Sequence, residues 1–318
     1  MTGSELLLAA GVDTVVGDPR WLPHPVRVMG RSIAWCDEHV RKICRGPGGL
    51  RAAGLCLAVG LPVSVYAIGW AMIEAADSLS DWLGSAMSIL LASTTLAGRD
   101  LWDHAQAVRT QLQQGHLHGA RLAVAMIVGR DTEQLSESDV TRATIETIAE
   151  STSDGIIAPL FYLAAGGAPL ALAYKAINTL DSIVGHRDAR YIDFGWASAR
   201  LDDAVNWVPA RLTALLLILA AGMLTGKVDR MRQGWRVLLR DGGKHPSPNS
   251  GRPEAAMAGV LGVQLGGRND YDGVPHERPF MGEGLRGVAV EDAAIAMRIM
   301  ALTSLLGVLI AAGCLWFA

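Results

Sequence analysis

The chain has 318 residues, half of them apolar and only 19% charged, with a formal net charge of −3. An ordinary soluble domain carries about 25% charged residues, so this composition excludes a normal water-soluble globule. With 28 basic against 31 acidic residues and no basic face, nothing points to a nucleic-acid partner.

In chain order, Leu6 to Val16 is a short apolar stretch broken by Asp13. Asp13 interrupts it, Glu5 stands directly before it and no basic residues precede it, so it does not read as a cleavable signal peptide. Residues 17–27 are too dense in prolines for a regular element. Such a rigid loop can present His24 and Arg27 to a ligand; a membrane-surface cap anchored by Trp21 fits equally well.

Charge-free runs then follow at 52–73, 82–98, 155–174, 212–226 and 299–318. A helix rising ~1.5 Å per residue needs about 20 such residues to cross a hydrocarbon core of ~30 Å. The expected fold is therefore all-α and polytopic, with about five spans in one membrane-embedded domain over 1–318. The third run contains Gly166-Gly167-Ala168-Pro169, which predicts a broken or kinked helix.

The basic residues set the orientation. Seven Lys/Arg precede Ala52 and none lies between Glu74 and Asp81. The positive-inside rule then places 99–154 and 227–298, the latter with eleven Lys/Arg, in the cytoplasm. Simple alternation would put 175–211 outside despite its basic residues; a re-entrant third run would keep it inside. Cys36 and Cys44 read as free thiols on the reducing side, and Cys56 and Cys314 as small hydrophobes.

Within 99–154, Leu101, Ala105, Val108 and Leu112 keep helical spacing, and Gly115 punctuates their end. Ser136 and Asp139 resemble a capping box. The helix that follows carries Glu146 and Glu150 one turn apart, with Asp154 a turn further if the helix continues. Stacked carboxylates repel, and Mg²⁺ together with substrate phosphates is a natural compensation; on a soluble helix the same pattern would be a solvated acidic face.

Two further clusters flank apolar runs. Lys175, Asn178 and Asp181 form one; Arg200, Asp202, Asp203 and Asn206 form the other, closed by Arg211. Their i,i+3 Asp/Asn pairs are oxygen ligands, and their cations suit phosphate. The stretch 242–254, with Lys244, His245, Ser247, Asn249, Ser250, Arg252 and Glu254, reads as a non-helical anion-binding loop or a turn-rich linker. It lacks the GxxxxGK[ST] pattern of a Walker loop.

Taken in order, these motifs resemble the CobD/CbiB family of cobalamin biosynthesis, the adenosylcobinamide-phosphate synthases. The matching stretches are GDPRWLPHPVRVMG (17–30), ETIAESTSDGIIAPLFY (146–162), KAINTLDSIVGHRDARYIDFGWASARLDDAVNWVPARLTA (175–214) and HPSPNSGRPEAAMAGVLGVQLGG (245–267). His186 departs from the Tyr associated with the family at that position.

The resemblance implies an ATP- and Mg²⁺-dependent ligase in the cell (inner) membrane, its active site facing the cytoplasm. It would join the carboxyl of adenosylcobyric acid, a corrinoid, to the amine of aminopropanol phosphate, an amino-alcohol phosphate. Beside these substrates and the lipid bilayer, a homo-oligomer is compatible with it. The candidate catalytic residues are Glu150, Asp154 and Arg252. Lys175, Asn178, Arg200, His245, Asn249 and Ser250 are candidates for ATP or phosphate. His24 and Arg27 are assigned to substrate, and Asp181, Asp202 and Asp203 to metal. A secondary transporter and a prenyltransferase-like Mg²⁺ enzyme are the competing readings; too few spans and no visible inverted repeat argue against the first.

Overall fold

The structure, a computed structural model, describes residues 1–19, 24–44, 46–186, 188–271 and 273–317. The chain folds into two compact units. The first comprises Met1–Ala97, Ala158–Asn206 and Val308–Ala318; the second comprises Gly98–Ile157 and Trp207–Gly307.

Among the described residues, four helical runs are long and apolar enough to cross a membrane: Pro47–Asp77, Glu137–Val184, Trp207–Thr225 and Val290–Phe317. The expected span at 82–98 differs. It forms a helix only over Asp81–Ser93, 13 residues, or about 20 Å, short of the hydrocarbon core. Ser93, Thr94 and Thr95 turn their hydroxyls back onto carbonyls three residues earlier, where the helix gives way to a turn.

In the first unit, α1 (Gly3–Val16) opens with a capping box between Thr2 and Glu5. Helix α2 (Pro25–Ile43) starts earlier than the proline content suggests: His24 caps it and Pro25 occupies its first turn. There the fixed φ and missing N–H of proline cost nothing. Trp21 lies outside the described residues. Helix α3 (Pro47–Asp77) is mostly unburied, with Leu55, Val59, Val63 and Trp70 exposed. Apolar exposure on that scale fits lipid as the surrounding solvent.

After α4 (Asp81–Ser93), the unit continues with α8 (Ala158–Val184). This helix breaks where expected: Gly166 (φ −159°, ψ 21°) and Gly167 (φ 69°, ψ −168°) leave helical geometry, and Pro169 follows. Only glycine adopts the Gly167 conformation without strain. Ile33, Leu180, Val184 and Phe194 form a core between α2, α8 and the approach to α9 (Trp196–Val205). Beside it, buried Asp37 accepts from Arg41 and Arg190, each at 2.7 Å.

In the second unit, α5 (Gly98–Gln113) buries Leu101, Ala105, Val108 and Leu112, the face its spacing predicts. Val108 and Leu112 pack with Ala120 and Val124 of α6 (Leu117–Ala125) and with Val140 and Ala143 of α7 (Glu137–Thr152). The Ser136–Asp139 capping box opens α7. Beyond Thr152 the chain forms a π turn, Ser153–Ile157. Helices α10 (Trp207–Thr225), α11 (Val228–Asp241) and α12 (Gly251–Leu261) pack against one another. Glycines let α11 and α12 approach: a Cβ on Gly259 would lie 2.7 Å from the α-carbon of Gly234. An antiparallel hairpin, β1 (Leu265–Tyr271) with β2 (Val274–Met281), was not anticipated in an all-α chain. The last helix, α13, is Val290–Phe317.

Candidate functional site

The second unit holds a dense polar network around α7. Glu146 and Glu150 share one face of α7, as their spacing requires, yet their surroundings differ. Glu146 is 3% exposed and accepts from Arg130, from Arg142 at 3.4 Å and from the Gly266 backbone N–H at 2.8 Å. Arg130 and Arg142 also donate to Asn269 of β1. The charge that offsets Glu146 is therefore guanidinium, and the carboxylate ties α7 to the hairpin. Sequence reasoning missed this clamp, although the i,i+4 spacing of Arg142 and Glu146 was a legible signal.

Glu150 is half-buried and faces the loop after α11. Ser250 donates to it at 2.9 Å across 100 residues of sequence. In the same loop, His245 Nδ1 accepts from the Ser247 N–H at 3.0 Å, while its buried Nε2 has no hydrogen-bond partner among the described residues. Burial, and then the charge of Arg278, holds the His245 imidazole below its ordinary value. Ser247 Oγ accepts from the N–H groups of Asn249 and Ser250, which makes 247–250 a compact turn.

The loop is shorter than expected. Gly251, Arg252, Pro253 and Glu254 are already the first turn of α12, where a proline is tolerated. Arg252 is half-buried, with Nε unsatisfied among the described residues. Glu254 is 1% exposed and neither of its oxygens has a partner there. Burial, reinforced by Glu146 and Glu150, pushes its carboxyl well above the usual carboxylate range. Arg278 of β2 acts on Glu254 in the opposite sense and donates to Tyr271 at 2.6 Å. Unpaired buried polar atoms are rare in folded proteins, and several gathered in one place mark where a ligand or ordered water belongs.

Asp154 lies in the π turn, so the α-helical period that would stack it over Glu150 is not kept there. Arg211, on α10, donates to the Trp207 carbonyl at 2.7 Å and stacks over that indole at 4.0 Å. The expected role as a phosphate partner therefore competes with a stacking contact.

The first unit gathers the other expected residues. Asn178 of α8 donates to Asp202 of α9 at 3.4 Å. Asp202 is pushed up to about 7, by burial first and by Asp181 next. Tyr174 donates to Asn206 at 2.9 Å, and Tyr162 donates to the Val205 carbonyl at 2.8 Å, which fixes the end of α9. Arg200 sits exposed on α9. Among the described residues no three His, Cys, Asp or Glu side chains are arranged to hold a metal by themselves. Asp202 and Asp203 are helix neighbours that project in different directions, so the expected trio with Asp181 is not a closed cage. The Asp181/Asp202 pair with Asn178 still fits Mg²⁺, which keeps few protein ligands and takes the rest from water and phosphate.

A separate cleft of about 280 Å³ in this unit is lined by Asp18, His24, Arg27, Thr94 and Lys175, among others. It unites His24 and Arg27 with Lys175, an association the sequence did not foretell. His24 Nδ1 accepts from the Val26 N–H at 3.3 Å, which orients the ring, and its Nε2 lies 3.1 Å from Asp18.

Fold and clusters together define a polytopic helical membrane protein whose carboxylates, guanidiniums and imidazoles are gathered into distinct polar sites. A family model described as CobD/Cbib protein matches residues 6–300. The cobalamin biosynthesis protein CobD of Geobacter metallireducens is 48% identical over 288 residues, 89% of this chain and 87% of that protein. That of Klebsiella pneumoniae is 46% identical, covering 91% and 90%. The cobalamin biosynthesis protein CbiB of Salmonella typhimurium is 44% identical over 95% of each chain. This chain belongs to the CobD/CbiB family of cobalamin biosynthesis. No solved structure matches it.

Proposed function

We propose that the protein is an ATP-dependent amide ligase that joins adenosylcobyric acid to aminopropanol phosphate, forming adenosylcobinamide phosphate. Family membership supplies the pathway. The observation that supports ligase chemistry is the unsatisfied polar group at 245–254, where His245, Arg252 and Glu254 keep buried atoms without partners around Glu150.

A carboxylate does not react with an amine until its oxygen is converted into a leaving group. In the proposed sequence a carboxylate oxygen attacks the γ-phosphorus of ATP and ADP departs. The amine then attacks the acyl carbon, and inorganic phosphate leaves with that oxygen. The incoming ammonium must first lose a proton, for which half-buried Glu150 is the base. Arg252 stabilises charge on the transferred phosphoryl group, and His245, Asn249 and Ser250 hold phosphate oxygens. Within the first unit, Asp181 and Asp202 would be the protein ligands of a bound Mg²⁺, which would neutralise phosphate charge there, with Asp203 the next residue on α9. Lys175, Asn178 and Arg200 are the phosphate-binding groups of the first unit, and His24 and Arg27 line a cleft suited to an anionic substrate group. Asp154 is retained as a second acid/base candidate.

The experiment is to replace Arg252 with Ala in the full chain and measure amide formation and corrinoid binding separately. Loss of turnover by about a hundredfold with binding retained supports the assignment; unchanged turnover removes Arg252 from the chemistry.

A further inference from the structure

Helix α11 leaves a face uncovered. Gly234, Val237, Leu238 and Asp241 are buried, and Gly234 and Val237 meet α12 through Gly259. On the other face Val228 (58%), Trp235 (47%) and Leu239 (65%) are exposed. At 100° per residue these three fall within about 40° of one another, and Arg232 and Arg236 stand at the edge of the same stripe.

Position in the chain and charge both bear on what covers it. Helix α11 begins three residues after α10, a candidate span. The exposed Leu215, Leu219, Met223 and Leu224 of α10 lead an apolar surface toward Val228. The charge along the stripe is basic as well. Arg236 makes no ion pair among the described residues, and Arg232 has only exposed Asp229 at 3.4 Å. Arg240, by contrast, is held by Asp241 and Glu283. An apolar stripe with an indole and flanking arginines, carried on from a span, has the form of a helix lying in the membrane interface.

We propose that α11 is an interfacial helix that docks on anionic phospholipid: Val228, Trp235 and Leu239 enter the headgroup–acyl boundary while Arg232 and Arg236 bind lipid phosphates. The docking would fix the loop at 242–250, which follows α11 directly, at the membrane surface.

The test uses the full chain with its four cysteines replaced by serine and a nitroxide on Leu239→Cys, reconstituted in nanodiscs. In discs of phosphatidylcholine with about a third phosphatidylglycerol, collision with oxygen should exceed collision with a water-soluble nickel chelate. Removing the anionic lipid should weaken that bias. Arg232→Gln with Arg236→Gln should abolish the lipid dependence, each arginine contributing about fivefold in affinity for the anionic headgroup. A label equally open to the chelate in both lipids would overturn the proposal. An immersed label indifferent to lipid charge would overturn the phosphate-binding role. A label shielded from both probes would place a second copy of the chain on this face and reject lipid docking.

Discussion

Ser250 donates a 2.9 Å hydrogen bond to Glu150, joining the helix that enters the third apolar run to the proline-rich loop between α11 and α12. The bond selects Glu150, out of the acidic series, as the group that faces the loop's unsatisfied atoms. Glu150→Gln is therefore expected to lower ligation about a hundredfold or more. Ser250→Ala should lower it about tenfold, with both proteins accumulating normally. Steady-state kinetics on the purified variants test this, and wild-type turnover in Glu150→Gln would remove the residue from the site.

Glu146, one turn earlier, behaves oppositely. Its buried ion pair with Arg130 makes it a clamp, and removing one partner of such a pair typically costs about 3–5 kcal/mol. Glu146→Gln should melt at a distinctly lower temperature in detergent and accumulate poorly, whereas Glu150→Gln should not. Equal melting of the two would contradict the division of roles.

Helical periodicity made the buried face of α5, the capping box of α7 and the break at Gly166–Gly167 legible in sequence, because each depends on neighbours a few residues away. Charge-free runs likewise located the membrane helices. They misjudged 82–98, where composition does not reveal that the helix stops at Ser93. Arg142 and Glu146 share a helix face, but the tie of Arg130, Arg142 and Glu146 to Asn269 and Gly266 of the hairpin spans more than 100 residues, which no local pattern encodes. Glu254 belongs to the loop motif at 242–254, but nothing local in that motif encodes its burial.

Glu254 gives a pH dependence of defined sign. Its folded-state carboxyl titrates well above the ordinary value of 4.5, by burial and the charges of Glu146 and Glu150. The native state therefore holds a proton that the unfolded chain has already released above that value. This contribution to stability falls as pH rises from about 4.5 toward the folded pKa. Glu254→Gln, neutral at every pH, should flatten the decline of melting temperature between pH 5 and 9. An unchanged slope would show that Glu254 is ionised in the folded protein.

The α11–α12 crossing supplies a packing test. A Cβ on Gly259 would lie 2.7 Å from backbone at Gly234, so the helices must separate. Gly259→Val should destabilise by about 1–3 kcal/mol, seen as a lower melting temperature and reduced yield. A melting temperature equal to wild type would mean that the two helices do not pack this closely.

Amide synthesis at the expense of ATP is tested most directly by mass spectrometry of the corrinoid. Purified, folded protein is incubated with adenosylcobyric acid, aminopropanol phosphate and Mg²⁺-ATP. The expected product is a corrinoid heavier by the amino-alcohol phosphate less one water, formed one for one with ADP and only when all substrates are present. A corrinoid of unchanged mass under those conditions would contradict the proposed ligase activity.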